Sequence, residues 1–147
     1  MKIAVVTDST AYLTKEELAE YGVYVLPMSV IFGQETYREE IDITAEEFYA
    51  KVKNSPVFPT STQPAVGETY ELFHELAKDY DAIIPITISS GISGTYQTCV
   101  AVAEDMKDEI AIYPIDSEIS CAPQARAVKL AAIMAKSGEY SPEEIVE

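Results

Sequence analysis

Short runs of aliphatic and β-branched residues alternate with longer stretches of helical periodicity along this chain. Ile3–Val6 in "KIAVVT" shows no polar face, as a strand buried on both sides requires. Thr14 then stands three residues before Glu17, a capping box that opens a helix, and Gly22 closes it. "VYVLPMSVIF" is strand-like again, and Thr44 with Glu47 forms a second capping box. Ala45, Phe48, Tyr49 and Val52 after it fall on one helical face, and Val66, Tyr70, Phe73 and Ala77 mark a third helix. "DAIIPIT" and "EIAIYPID" read as strands, each followed by a helix, "SGTYQTCVAVAEDM" and "APQARAVKLAAIMAKSG". This order predicts an α/β fold, a parallel sheet flanked by helices on both faces. Pro85 and Pro114 each remove a ladder hydrogen bond, so both are expected at a strand end, an edge or a bulge.

Length and charge restrict the function. The 147 residues fit one domain, expected over 1–147. Ser141, Pro142, Glu143 and Glu144 spell the start of another helix just before the sequence stops, so the chain reads as truncated ahead of a second domain. Ten Lys and Arg stand against 25 Asp and Glu, a formal net charge of −15, which speaks against nucleic acid and anionic membranes as partners. No stretch reads as a membrane span or a secretory leader, and Cys99 and Cys121 lack CxxC spacing. They read as buried thiols of a cytoplasmic protein.

In open parallel sheets, ligands bind outside the carboxyl ends of the strands. Three segments are expected there: Asp8, Ser9 and Thr10; Ser61, Thr62 and Gln63 before Pro64; and Ser90 to Thr95. The plain reading of Ser9, Thr10 and Thr62 is helix capping. Ser89, Ser90, Ser93 and Thr95 put four hydroxyls into seven residues, more than one cap uses, and Gly91 and Gly94 allow close backbone approach. That composition points to an anion held by neutral donors. Catalysis is poorly served. The single histidine, His74, falls mid-helix at the edge of an apolar stripe, where a structural or surface role is expected. "YREEIDI" reads as a solvated loop, and no metal-ligand spacing occurs.

"VVTDSTAYLT", "IDITAEEFYAKV", "PTSTQPAVGE", "ITISSGISGTYQT" and "PIDSEIS" occur in this order, and with them nearly the whole chain resembles the DegV family of bacterial proteins. The resemblance implies a long-chain fatty acid as ligand and the catalytic subunit of a fatty acid kinase as partner, with no catalysis, cofactor or metal in this protein. It also implies a second α/β domain, and a fold shared with mannose-type phosphotransferase IIA domains and dihydroxyacetone kinase. The family's carboxylate-binding positions fall on Ser61 and Thr62, here in Ser-Thr-Gln-Pro order, and on Ser93, Gly94 and Thr95. Ile92 and the Val30, Ile31, Phe32 run are the expected lining of an acyl tunnel. Ala122, Pro123 and Gln124 depart from the glycines common in the family at that helix start. The competing reading, drawn from the fold relatives, is a phosphotransfer or small-polyol enzyme; a third is a scaffold whose hydroxyls only cap helices.

Overall fold

Ile3–Asp8 (β1) and Ala82–Thr87 (β6) are buried at every position and pair in parallel, Val5 against Ile84. The computed structural model describes all of Met1–Glu147. Along the chain follow α1 (Lys15–Tyr21), β2 (Val23–Leu26), β3 (Ser29–Phe32), β4 (Glu35–Arg38), α2 (Ala45–Asn54), β5 (Thr60–Thr62) and α3 (Val66–Leu76). After β6 come α4 (Thr95–Asp105), β7 (Ala111–Ile112), β8 (Ile115–Asp116), α5 (Cys121–Ser137) and α6 (Pro142–Val146). The main sheet is all parallel, in the order β2-β1-β6-β7, and β8 continues beside β6 on the line of β7.

Alternation along each strand builds two cores. Ala4, Val6 and Ile83 face α3 and α4, where they meet Phe73, Leu76, Cys99 and Val102. Ile3, Val5, Ile84 and Ile86 face the other way onto Val128, Ala131 and Ala132 of α5. Helices therefore cover both faces, as the unbroken apolar strands require. The three capping boxes form as expected, at Thr14, Thr44 and Ser141. Ile145 and Val146 of the last helix pack on the second core.

Three expectations are corrected. "VYVLPMSVIF" is two strands separated at Pro27 and Met28, because the second half leaves the main sheet. It joins β4 and β5 in a small antiparallel sheet, order β4-β3-β5, with α2 packed over Val30, Phe32 and Ile43. Gly33, at φ 63°, turns β3 into β4. Pro85 lies within the central strand β6, not at its end. The register of β6 with β7 and β8 is continuous, so Pro85 stands level with Pro114, where the neighbouring strand is interrupted. Ile83 accepts the Tyr113 N–H on that side, and two residues further the missing Pro85 N–H points into the same gap.

The third correction concerns the thiols. Cys99 is buried, but Cys121 heads α5 in a left-handed conformation and is exposed. Burial, with a smaller contribution from the Asp8 charge, pushes the Cys99 thiol up to about 12. Native protein should therefore release colour from Ellman's reagent at one thiol, Cys121, and at the second only after unfolding. Two equally fast thiols in native protein would contradict this packing.

Candidate functional site

Chain order runs outward from β1 to β2 on one side and from β6 to β7 on the other, so the topological switch lies between β1 and β6. The Asp8 carboxylate fills that point and is fully buried. Its Oδ2 accepts the Ile88 N–H at 2.6 Å, and its Oδ1 accepts the Thr10 N–H at 3.0 Å and the Thr10 hydroxyl. Gln124, also fully buried, places Oε1 3.0 Å from the same hydroxyl and donates Nε2–H to Thr7 at 3.1 Å. Ser9 donates to Glu39 at 2.6 Å and accepts the Met28 N–H at 2.9 Å. Ser9 and Thr10 thus spend their hydroxyls on holding the strand ends and cap no helix, contrary to the plain reading; the caps here are Asp8 and Thr14. "YREEIDI" is less free than a solvated loop: Arg38 pairs with Asp42 at 2.9 Å and with Glu68 at 3.5 Å, and Glu39 reaches Ser9.

The turn after β6 is organised differently. Asp116 Oδ1 accepts the N–H groups of Ser90 and Glu118, both at 3.0 Å, and anchors the start of the turn. Hydrogen bonds from Ser90, and one from Glu118, hold the Asp116 carboxyl below its ordinary range. Ser93, half-buried, has its Oγ 2.9 Å from Thr95 Oγ1 and accepts the Thr95 N–H at 3.3 Å. Thr95 is buried, its hydroxyl also 3.7 Å from Met28 Sδ, so it steadies Ser93 from behind. Gly94 is the N-cap of α4, and no side chain caps the helix. The amides of Tyr96 and Gln97 are therefore left without a side-chain acceptor. α3 and α5 also begin without a side-chain cap, whereas α1, α2 and α6 all carry complete capping boxes.

Ser61 and Thr62 lie in β5 and are exposed, and they do not cap α3, whose N-cap is Ala65. Ser61 stands opposite Val30 and Thr62 opposite Ser29, so the two side chains leave opposite faces of the small sheet. Extending the β3–β4 register by one pair sets Met28 opposite Glu39, on the Val30 face. Met28 touches Thr95, so Ser61 shares a face with the Ser93 turn and Thr62 does not. Gln63 closes the connection: its Nε2 donates to Thr98 Oγ1 at 2.8 Å, and its carboxamide lies against Gly94. Sequence reading placed Gln63 in a motif without a role, and it missed Met28 altogether. Only the tertiary fold sets either against α4.

The residues expected to line a tunnel do not come together. Ile92 is 69% exposed, while Val30 and Phe32 are already packed beneath α2. A cleft of about 190 Å³ runs between Tyr12, Leu18, Val25 and Ile41, and one of about 110 Å³ between Tyr12, Ile43, Phe48 and Tyr49. Neither has Ser61 or Ser93 in its wall. His74 is half-exposed on α3, its Nδ1 2.8 Å from Glu109. No three His, Cys, Asp or Glu side chains gather as a metal site, and no helix is long and apolar enough to cross a membrane.

Fold and turn chemistry define a parallel α/β domain that presents hydroxyls and uncapped amides at one end of its sheet. Residues 2–147 match the family described as "Uncharacterised protein, DegV family", and the chain belongs to that family. Protein DegV of Bacillus subtilis is 48% identical over 147 residues, which are 100% of this chain and 52% of that protein. The crystal structure of DegV from Bacillus subtilis, described as a fatty acid binding protein, superposes with a TM-score of 0.95 at 48% identity, over 99% of this chain and 51% of that one. A stearic acid-binding protein from Eubacterium ventriosum gives a TM-score of 0.87 at 28% identity, over 97% of this chain and 50% of that one. The chain spans about half the length of the relatives it matches.

Two outcomes follow from the anchors. Asp8→Ala leaves the buried Ile88 N–H without an acceptor and should cost about 3 kcal/mol in urea unfolding; a loss below about 1 kcal/mol would show that the bridge is dispensable. Asp116, depressed in the folded chain, contributes stability above the unfolded carboxyl value of about 3.9, and this is lost as pH falls through the folded value. Asp116→Asn should therefore be less stable than the parent at pH 6, with the gap closing as pH falls below the ordinary carboxyl range. A gap of constant size across that range would contradict it.

Proposed function

We propose that this chain forms the head-group half of a long-chain fatty acid site. The supporting observation is the Gln63 link: two residues from Ser61, Gln63 donates to Thr98 of α4 and lies against Gly94, next to Ser93 and to the Tyr96 and Gln97 amides that lack a side-chain acceptor. A carboxylate takes two or three short hydrogen bonds from such donors, and the helix N-terminus favours its charge. In this reading Ser61, Ser93 and the α4 amides meet the carboxylate, Thr95 steadies Ser93, and Gly94 leaves room for the Gln63 carboxamide between them. Thr62 is directed to the other face and contributes no hydroxyl. The descriptions of the Bacillus subtilis and Eubacterium ventriosum relatives supply the chemical class of the ligand.

Burying an acyl tail gains roughly 0.8 kcal/mol per methylene, so the tail sets affinity and the head group sets orientation. The two clefts around Tyr12 do not reach Ser61 or Ser93. The tail is therefore assigned to a second domain, consistent with relatives about twice as long. The protein presents the carboxylate to a separate kinase, where a carboxylate oxygen attacks the γ-phosphorus of ATP and ADP leaves, giving an acyl phosphate. This chain supplies no catalytic group to that step. A phosphotransfer enzyme would need an acceptor histidine at the strand ends. Asp8 occupies that position, and His74 is bound to Glu109 on the surface of α3.

Native mass spectrometry of the full-length protein should show a bound fatty acid, and protein that stays empty when offered oleate or palmitate would refute the reading. Ser93→Ala removes one charge-assisted hydrogen bond and should weaken binding about tenfold. Equal affinity in the variant would remove Ser93 from the head-group site.

A further inference from the structure

Gly94 has φ −79° and ψ 6°, a conformation open to any L-residue, so backbone freedom does not explain a glycine there. Space does. A Cβ at Gly94 would stand 2.2 Å from Gln63 Oε1 and 3.2 Å from its Cδ, well inside any permitted contact. The carboxamide can turn aside only by giving up the hydrogen bond its Nε2 donates to Thr98 at 2.8 Å. Thr98 lies one turn beyond Gly94, and its N–H donates to the Gly94 carbonyl at 3.0 Å. Gln63 is therefore seated on one ridge of the first turn of α4, with Gly94 as the socket and Thr98 as the tether.

We infer that Gln63 is a positioning residue that sets the spacing between the Ser61 and Ser93 hydroxyls. This rests on the carboxylate reading above and adds to it a residue that touches neither end of the ligand. Gln63 lies two positions from Ser61 and is held at its other side by Pro64, which is buried and fixes its own φ. Across the contact, Gly94 adjoins Ser93 directly. Two hydroxyls that share one carboxylate must both lie within about 2.6–3.0 Å of its oxygens, so a shift of about 1 Å in β5 relative to α4 breaks one of the bonds. The small antiparallel sheet meets α4 at two side-chain contacts, Met28 Sδ with the Thr95 hydroxyl before β3 and the Gln63 carboxamide just after β5, and the carboxamide is the one that fixes the Ser61 end. Gly94 serves the same alignment from the other side: it admits the strut, not the ligand.

The test is a two-by-two set in the full-length protein: the parent, Gln63→Ala, Gly94→Ala and the double variant. Fatty-acid affinity is read by displacement of a fluorescent fatty acid, and head-group environment by the carboxyl resonance of ¹³C1-labelled oleate. Gln63→Ala and Gly94→Ala should each weaken binding about tenfold and shift the carboxyl resonance. In the double variant the two losses should not multiply, because removing the carboxamide also removes the clash. A purely structural role would lower melting temperature without moving that resonance in the protein that remains folded. Unchanged affinity in Gln63→Ala, or losses that multiply in the double variant, would overturn the positioning role. A parent protein that takes up no oleate would instead sink the carboxylate reading and the role of Gln63 in it.

Discussion

The buried carboxylate of Asp8 is the joint on which the upper end of the molecule hangs. Parallel strands end with unpaired backbone groups, and at the switch between β1 and β6 those groups are enclosed by α4 and α5. Asp8 meets the problem from one side chain, accepting from Ile88 beyond β6 and from Thr10 beyond β1. The Thr10 hydroxyl, Gln124 and Thr7 extend the same network to α5 and back to the Ile86 carbonyl. A buried charge is tolerated where several donors converge on it. Once these ends are fixed, the following turns are free to differ, and they do. Residues after β1 satisfy one another, whereas the turn after β6 leaves donors over.

Capping shows that difference in another form. α1, α2 and α6 begin with Thr or Ser reaching forward and Glu reaching back, so their first amides are satisfied internally. α4 begins at Gly94, after a serine whose hydroxyl is turned to Thr95. A sequence able to write three complete boxes writes none at the helix that borders the hydroxyl-rich turn. The amides of Tyr96 and Gln97 there have no side-chain acceptor, as at the starts of α3 and α5, and the Gln63 carboxamide lies beside them against Gly94.

Much of this was legible beforehand, for physical reasons that can be named. Ile3–Val6 and Ala82–Thr87 announced buried parallel strands because neither has a polar face. The boxes at Thr14, Thr44 and Ser141 are local chemistry, readable three residues at a time. The small sheet was not legible: its strands run three or four residues and β5 is exposed throughout, so no apolar period of two marks it. With the sheet went the register, and with the register the separation of Ser61 from Thr62, which looks like one site in sequence and is two faces in space. Gly94 is the most instructive residue. Its place in the sequence points to close approach of a guest, whereas a side chain there would collide with the carboxamide of Gln63.

A net charge of −15 makes the choice of donors consistent. The chain's long-range field repels any anion, and its Arg38, Lys51 and Lys129 are committed to carboxylates of their own. An acidic head group is then retained only by groups that act at contact distance, namely hydroxyls and helix amides, whose pull falls away within one turn. Such contacts give direction more than strength. In the proposed fatty-acid reading the strength comes from apolar burial of the tail, and neither cleft around Tyr12 has Ser61 or Ser93 in its wall. In that reading the two tasks fall to different parts of the protein: a sheet end that aims the carboxylate, and a separate apolar enclosure that holds the chain behind it.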